Sequence, residues 1–184
     1  MPAAALLIID MLGDFLDRWP AGERRALIAR TNALVALFRQ RGLPVIWVRQ
    51  EFKADLSDAF LEMRKRSISV TIEGTRGAEI ADGLDRRESD PTIIKKRYSA
   101  FYGTELDTLL ASTRPDALVI AGINTHACIR MAAIDAYQRD YEVVIASDCV
   151  DSYDQEHARI TLEYLADKIA LLRTNEEIAA RLEA

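Results

Sequence analysis

The chain has 184 residues, 49% of them apolar, which suits one domain with a sizeable buried core (residues 1–184) rather than two. Its 29 acidic and 24 basic side chains are interspersed and leave a net charge of −5, which argues against a nucleic-acid partner. Apolar stretches reach about eight residues, where crossing a bilayer takes roughly 20, so no membrane partner is expected.

Ala4–Ile9 (AALLII) reads as a buried strand closed by Asp10. No basic segment precedes it and Asp10 interrupts it before a signal peptide is complete, so a cytoplasmic location is expected. Glu23–Arg41 has a helical pattern, Gly42 stops it, and Pro44–Val48 (PVIWV) opens the next strand. Residues 50–90 break the rhythm with many charges, three glycines and weak periodicity. A connection that long inside a compact domain is expected to be functional, a lid or an interface lying over the carboxyl ends of the strands. A weaker strand, Thr92–Lys95 (TIIK), precedes a helix at Gly103–Ser112. Strand Ala117–Ala121 leads into helix His126–Arg139, strand Val143–Ala146 into helix Asp154–Asp167, and strand Lys168–Leu172 into helix Asn175–Glu183. The alternation predicts an α/β fold: a Rossmann-like three-layer sandwich with a mainly parallel six-stranded sheet and helices on both faces.

Three of these strands lead to polar groups where open α/β sheets bind ligands: Asp10, Lys95, and Cys128 beyond Gly122-Ile-Asn-Thr-His-Ala. An acid, a base and a soft nucleophile in one crevice form a minimum set for covalent acyl transfer. Cys128 falls about three residues into a helix that Asn124 or Thr125 would cap. The helix dipole and a nearby lysine are then expected to lower its pKa, and first-turn N–H groups to face a developing oxyanion. A lone cysteine is more often structural, Asp10 is readable as a cap, and Lys95 has a rival in Lys96; the joint placement is what points to chemistry. Cys149 offers a redox partner for Cys128 without any spacing that demands it. Two histidines, His126 and His157, exclude a histidine-rich metal site. Asp148, ending a strand, is expected to cap.

These segments resemble the isochorismatase-like cysteine hydrolases, which include nicotinamidases, carbamoylsarcosine amidohydrolases and ureidoacrylate-type amidohydrolases. LLIIDMLGDF is similar to the family's opening strand, with Asp10 as catalytic acid and Phe15 lining the pocket. IIKKRYSAFYGTELDTLL is similar to its lysine segment, and counting back from Ser99-Ala100-Phe101 puts the lysine at Lys95. VIAGINTHACIRMAAIDAYQRDYEVVIASDCV is similar to the nucleophile segment, with Cys128 as nucleophile. The resemblance implies a cis peptide between Ile123 and Asn124, and an oxyanion hole made by the backbone amides of Asn124 and Cys128. It further implies that Asp10 takes the thiol proton, that a thioester forms on Cys128 and is hydrolysed, and that Lys95 supplies the countercharge. Phe101, Tyr102 and His126 are the other pocket candidates.

Nicotinamidases carry an Asp-x-His…His metal site after the second strand, whereas Gln50–Asp58 reads QEFKADLSD, so neither metal nor cofactor is expected. The implied partner is a small-molecule amide or ureido substrate, within a homodimer or homotetramer. The competing readings are an isochorismatase-type vinyl-ether hydrolase using Asp10 and Lys95, which the tail VDSYDQEHARITLEYL keeps open, a thiol redox protein, and a flavodoxin-like binding domain. A phosphate cradle is not evident in the turn after the first strand, Met11 to Phe15.

Overall fold

The computed structural model describes residues 3–183. These form one six-stranded sheet of order β3-β2-β1-β4-β5-β6, every pairing parallel. Its strands are β1 (Ala4–Ile9), β2 (Val45–Gln50), β3 (Thr92–Lys95), β4 (Ala117–Ile123), β5 (Glu142–Asp151) and β6 (Leu171–Arg173). Helices α1 (Gly13–Leu16), α2 (Ala21–Gln40), α3 (Leu61–Arg66), α4 (Leu106–Thr113), α5 (Arg130–Tyr137), α6 (Gln155–Lys168) and α7 (Asn175–Glu183) complete it. No helix among the described residues is long and apolar enough to cross a membrane.

Continuous apolar runs make these strands because both faces are covered. Along β1, Ala5, Leu7 and Ile9 enter a core with Leu106 and Leu110 of α4, Ala132, Ala133 and Ala136 of α5, and Leu165 of α6. The alternate residues Ala4, Leu6 and Ile8 enter a second core with Leu27, Leu34 and Phe38 of α2 and Ile178 of α7. Three layers result. At Gly122, with φ of 114°, a Cβ would stand 2.0 Å from the Ile9 carbonyl oxygen, so only glycine lets β4 lie this close to β1.

Several boundaries differ from expectation. Lys168 closes α6 instead of opening a strand, and the last strand begins at Leu171. The helix expected from Gly103 begins at Leu106, because Thr104 Oγ1 accepts the Leu106 N–H at 3.3 Å and Gly103 turns the chain at φ of 67°. The helix expected over 126–139 is divided: a π-helical turn, Thr125–Ile129, precedes α5.

Residues 50–90 are ordered around a small core of their own, Phe52, Leu56, Ala59 and Met63. Phe52 bridges Ile72, and Leu12 bridges Ile80. The Asp14 carboxylate accepts the Thr71 N–H at 2.6 Å, and a Cβ on Gly77 would collide with that carboxylate at 2.3 Å. The excursion is thus clasped to the corner between β1 and α1.

Candidate active site

The strand order reverses between β1 and β4, and a crevice opens beyond the carboxyl ends of strands at such a point. Asp10 follows β1 directly with φ of 55°, a left-handed conformation that aspartate tolerates better than most residues. The Gln50 N–H, at the end of β2, donates to Asp10 Oδ1 at 2.8 Å. Lys95 ends the edge strand β3, two strands from β1, a span of about 10 Å that needs a long side chain. Its Nζ lies 2.7 Å from Asp10 Oδ2, and both side chains are fully buried.

The Lys95 ammonium also donates to Cys128 Sγ at 3.4 Å and to the Arg97 carbonyl oxygen at 3.1 Å. The ammonium thus has two hydrogen-bond acceptors besides its ion pair with Asp10. Asp10 Oδ2 is held by the ion pair alone, with no aligned hydrogen-bond donor, so a lone pair stays open to a proton. Neighbouring Lys96 instead pairs with Asp58 at 3.0 Å near the surface. Lys95 ends β3 pointing inward, and Lys96, one residue past the strand, turns out.

Cys128 sits in the π-helical turn, 5% exposed. Neither Asn124 nor Thr125 caps this turn with its side chain: Asn124 Oδ1 faces the Tyr153 N–H at 3.5 Å and Thr125 Oγ1 donates to the Asp151 carbonyl oxygen at 3.0 Å. The Ile123–Asn124 peptide is cis. Burial pushes the Cys128 thiol up to about 12, the Asp10 carboxylate adds to the rise, and the Lys95 ammonium opposes it. The expectation of a lowered thiol pKa is overturned, because desolvation beside a carboxylate outweighs a helix end and one ammonium. For Lys95 burial acts downward, but Asp10 and then the sulfur outweigh it and hold the ammonium above its usual range.

The sulfur borders a cleft of about 800 Å³. Its walls come from α1 (Phe15), the excursion (Phe60, Met63, Ile68), the turn after β3 (Tyr98), the π-helical turn and α5 (Asn124, His126, Met131), and Tyr153. A chain that joins a carboxylate, an ammonium and a cysteine beside one cleft matches the sequence profile of the isochorismatase domain over residues 4–177. The chain belongs to the isochorismatase family. It is 37% identical over 153 residues to a protein of Arabidopsis thaliana described as a probable inactive nicotinamidase, covering 78% of each chain. An isochorismatase family protein from Desulfovibrio vulgaris superposes with a TM-score of 0.88 at 30% identity over 100% of both chains. N-carbamoylsarcosine amidase from Thermoplasma acidophilum does so with a TM-score of 0.81 at 26% identity, over 95% of this chain and 98% of that one.

This isochorismatase-family hydrolase places Phe15 and His126 on the cleft wall, but not Phe101 or Tyr102. Phe101 is 3% exposed in the core, the Arg139 guanidinium 4.4 Å from its ring centroid, and Tyr102 is 68% exposed. The Ser99 hydroxyl, bonded to the Asp135 carboxylate, accepts the Phe101 N–H and folds the turn so that Tyr98, not Phe101, borders the cleft. Met131, which the sequence reading did not single out, is 38% exposed on the cleft; its place three residues after Cys128 is the available signal. His126 Nδ1 lies 2.6 Å from Ser152 Oγ, and burial holds its pKa below the usual value. Cys149 faces the other side of the sheet, its Sγ 3.2 Å from Asn175 Oδ1, so its cluster is not that of Cys128. Asp148 accepts the N–H of Asn175 at 2.8 Å, at the start of α7.

Proposed function

We propose that this chain hydrolyses the C–N bond of a small amide or ureido compound through a thioester on Cys128. The buried Asp10–Lys95 pair, whose ammonium reaches the Cys128 sulfur where that sulfur borders an open cleft, carries this reading. Because the resting thiol is protonated, attack is coupled to proton transfer: Asp10 takes the proton as sulfur bonds to the carbonyl carbon. The carbonyl oxygen gains the negative charge, and the backbone amides of Asn124 and Cys128 form its oxyanion hole. Asp10 returns its proton to the leaving nitrogen as the C–N bond breaks, releasing ammonia or an amine. Water, deprotonated by Asp10, then cleaves the thioester and the thiol is restored. Lys95 supplies the countercharge throughout. The cleft residues, His126 and Phe15 among them, shape the substrate site.

A panel of small amides and ureido acids, assayed for ammonia release with Cys128→Ala as control, tests the proposal. Release by the native chain, and a mass increase on Cys128 equal to the acyl group after brief incubation, are the expected results. Ammonia release that persists undiminished in Cys128→Ala would overturn the thioester route, and cleavage of a vinyl ether by that variant, with no amide turned over by the native chain, would favour vinyl-ether hydrolysis by Asp10 and Lys95.

A further inference from the structure

A second chamber of about 450 Å³ adjoins the Cys128 cleft, with Phe15, Ile68, Asn124 and Tyr153 bordering both. Its outer wall holds Trp19 and Arg18. Arg18 is exposed, and among the described residues it has neither an ion-pair partner nor a hydrogen-bond acceptor. The acidic groups around the two spaces are engaged. Asp14, on the chamber wall, accepts the Thr71 N–H at 2.6 Å. Glu62, on the cleft wall, pairs with Arg66 at 2.7 Å. Arg130, on the cleft wall and outside the chamber, likewise has no ion-pair partner among the described residues, but its guanidinium lies 5.6 Å from the Tyr164 ring centroid, on α6.

One unpaired guanidinium at the rim of a chamber walled by aromatic side chains suits an amphipathic occupant with an acidic end. A molecule whose amide carbon meets Cys128 has its far end in this chamber if it passes over Phe15 and Tyr153. We propose that the substrate bears a carboxylate, seated on Arg18, at the end remote from the bond that is cleaved. This rests on the amide reading of the Cys128 centre. A carboxylate fits the two-pronged guanidinium, whereas the Asp14 charge on the same wall disfavours a dianion such as a phosphate monoester.

The test uses pairs that differ only at the far end: 3-ureidopropanoic acid against 3-ureidopropan-1-ol, and 6-ureidohexanoic acid against 6-ureidohexan-1-ol. Binding is measured by calorimetry on Cys128→Ala protein, and ammonia release on protein with Cys128 intact. At least one acid is expected to bind about tenfold more tightly than its alcohol, with the difference in KM rather than kcat. In Arg18→Gln the acid-to-alcohol ratio falls to about one, Arg18→Lys keeps part of it, and raising salt from about 0.02 M to about 0.5 M shrinks it. Equal affinity for acid and alcohol, no binding of either, or a preference that survives Arg18→Gln and disappears in Arg130→Gln overturns the assignment. Binding is read without turnover, so absent ammonia release would count against the hydrolytic reading while the calorimetry still decided the role of Arg18.

Discussion

Cys128 and Cys149 are both buried thiols near the carboxyl ends of neighbouring strands, one on each face of the sheet. Burial raises both, Cys128 to about 12 and Cys149 to about 11. By acidity alone neither looks like a nucleophile. What separates them is company: Cys149 meets a neutral amide oxygen of Asn175, whereas Cys128 meets an ammonium already paired with a carboxylate, and it borders an open cleft. A thiol with a base beside it need not be ionised at rest, since the proton can leave during attack.

The sharpest way to break this comparison is to remove each sulfur in turn. Cys128→Ala should lower amide hydrolysis by at least about 10³-fold, while Cys149→Ala should stay within about twofold of the native rate. Comparable losses in both variants would refute a division of labour between the two faces. The second contrast is Lys95 against Lys96. Lys95→Met leaves a fully buried carboxylate without its partner and should cost about 3–5 kcal/mol in chemical denaturation, besides abolishing turnover. Lys96→Met loses a half-exposed pair with Asp58 and should cost no more than about 1 kcal/mol. Equal costs would mean that the Asp10–Lys95 pair is solvated in the native ensemble.

Much of this architecture is readable in the sequence. β1, β3 and α7 fall on their expected residues because an apolar run with a polar stop, or a capped amphipathic segment, carries its own boundaries. Asp10 and Lys95 were legible as strand-end residues and Cys128 as lying just beyond a strand, and their meeting follows from the strand order. The cleft walls were not. Phe60 and Ile68 reach it through the fold of residues 50–90, whose small core shows no period, and the exchange of Phe101 for Tyr98 hangs on one Ser99–Asp135 contact. The π-helical turn was also hidden, because one widened turn leaves the apolar spacing of α5 unchanged. The direction of the thiol shift is not legible in the sequence either, since the balance of dipole, charge and burial depends on how deeply the sulfur sits.

That balance supplies the smallest effect and the one that weighs the two thiols on a common scale. In the unfolded chain a thiol ionises near its ordinary value of 9.0, whereas Cys149 in the fold keeps its proton up to about 11 and Cys128 up to about 12. Above that ordinary value the unfolded state sheds protons that the native state retains, so stability falls as pH rises from about 9 toward 11, most steeply near the upper end. The raised Lys95 acts in the same direction, its contribution present below 10.5 and lost above it. Each thiol adds at most about 1.4 kcal/mol per pH unit to the decline. Denaturation midpoints at about pH 8, 9, 10 and 11 should therefore fall less steeply for Cys149→Ala than for the native chain. Parallel curves would mean that Cys149 is hydrated in the fold, and burial would then distinguish the two sulfurs after all.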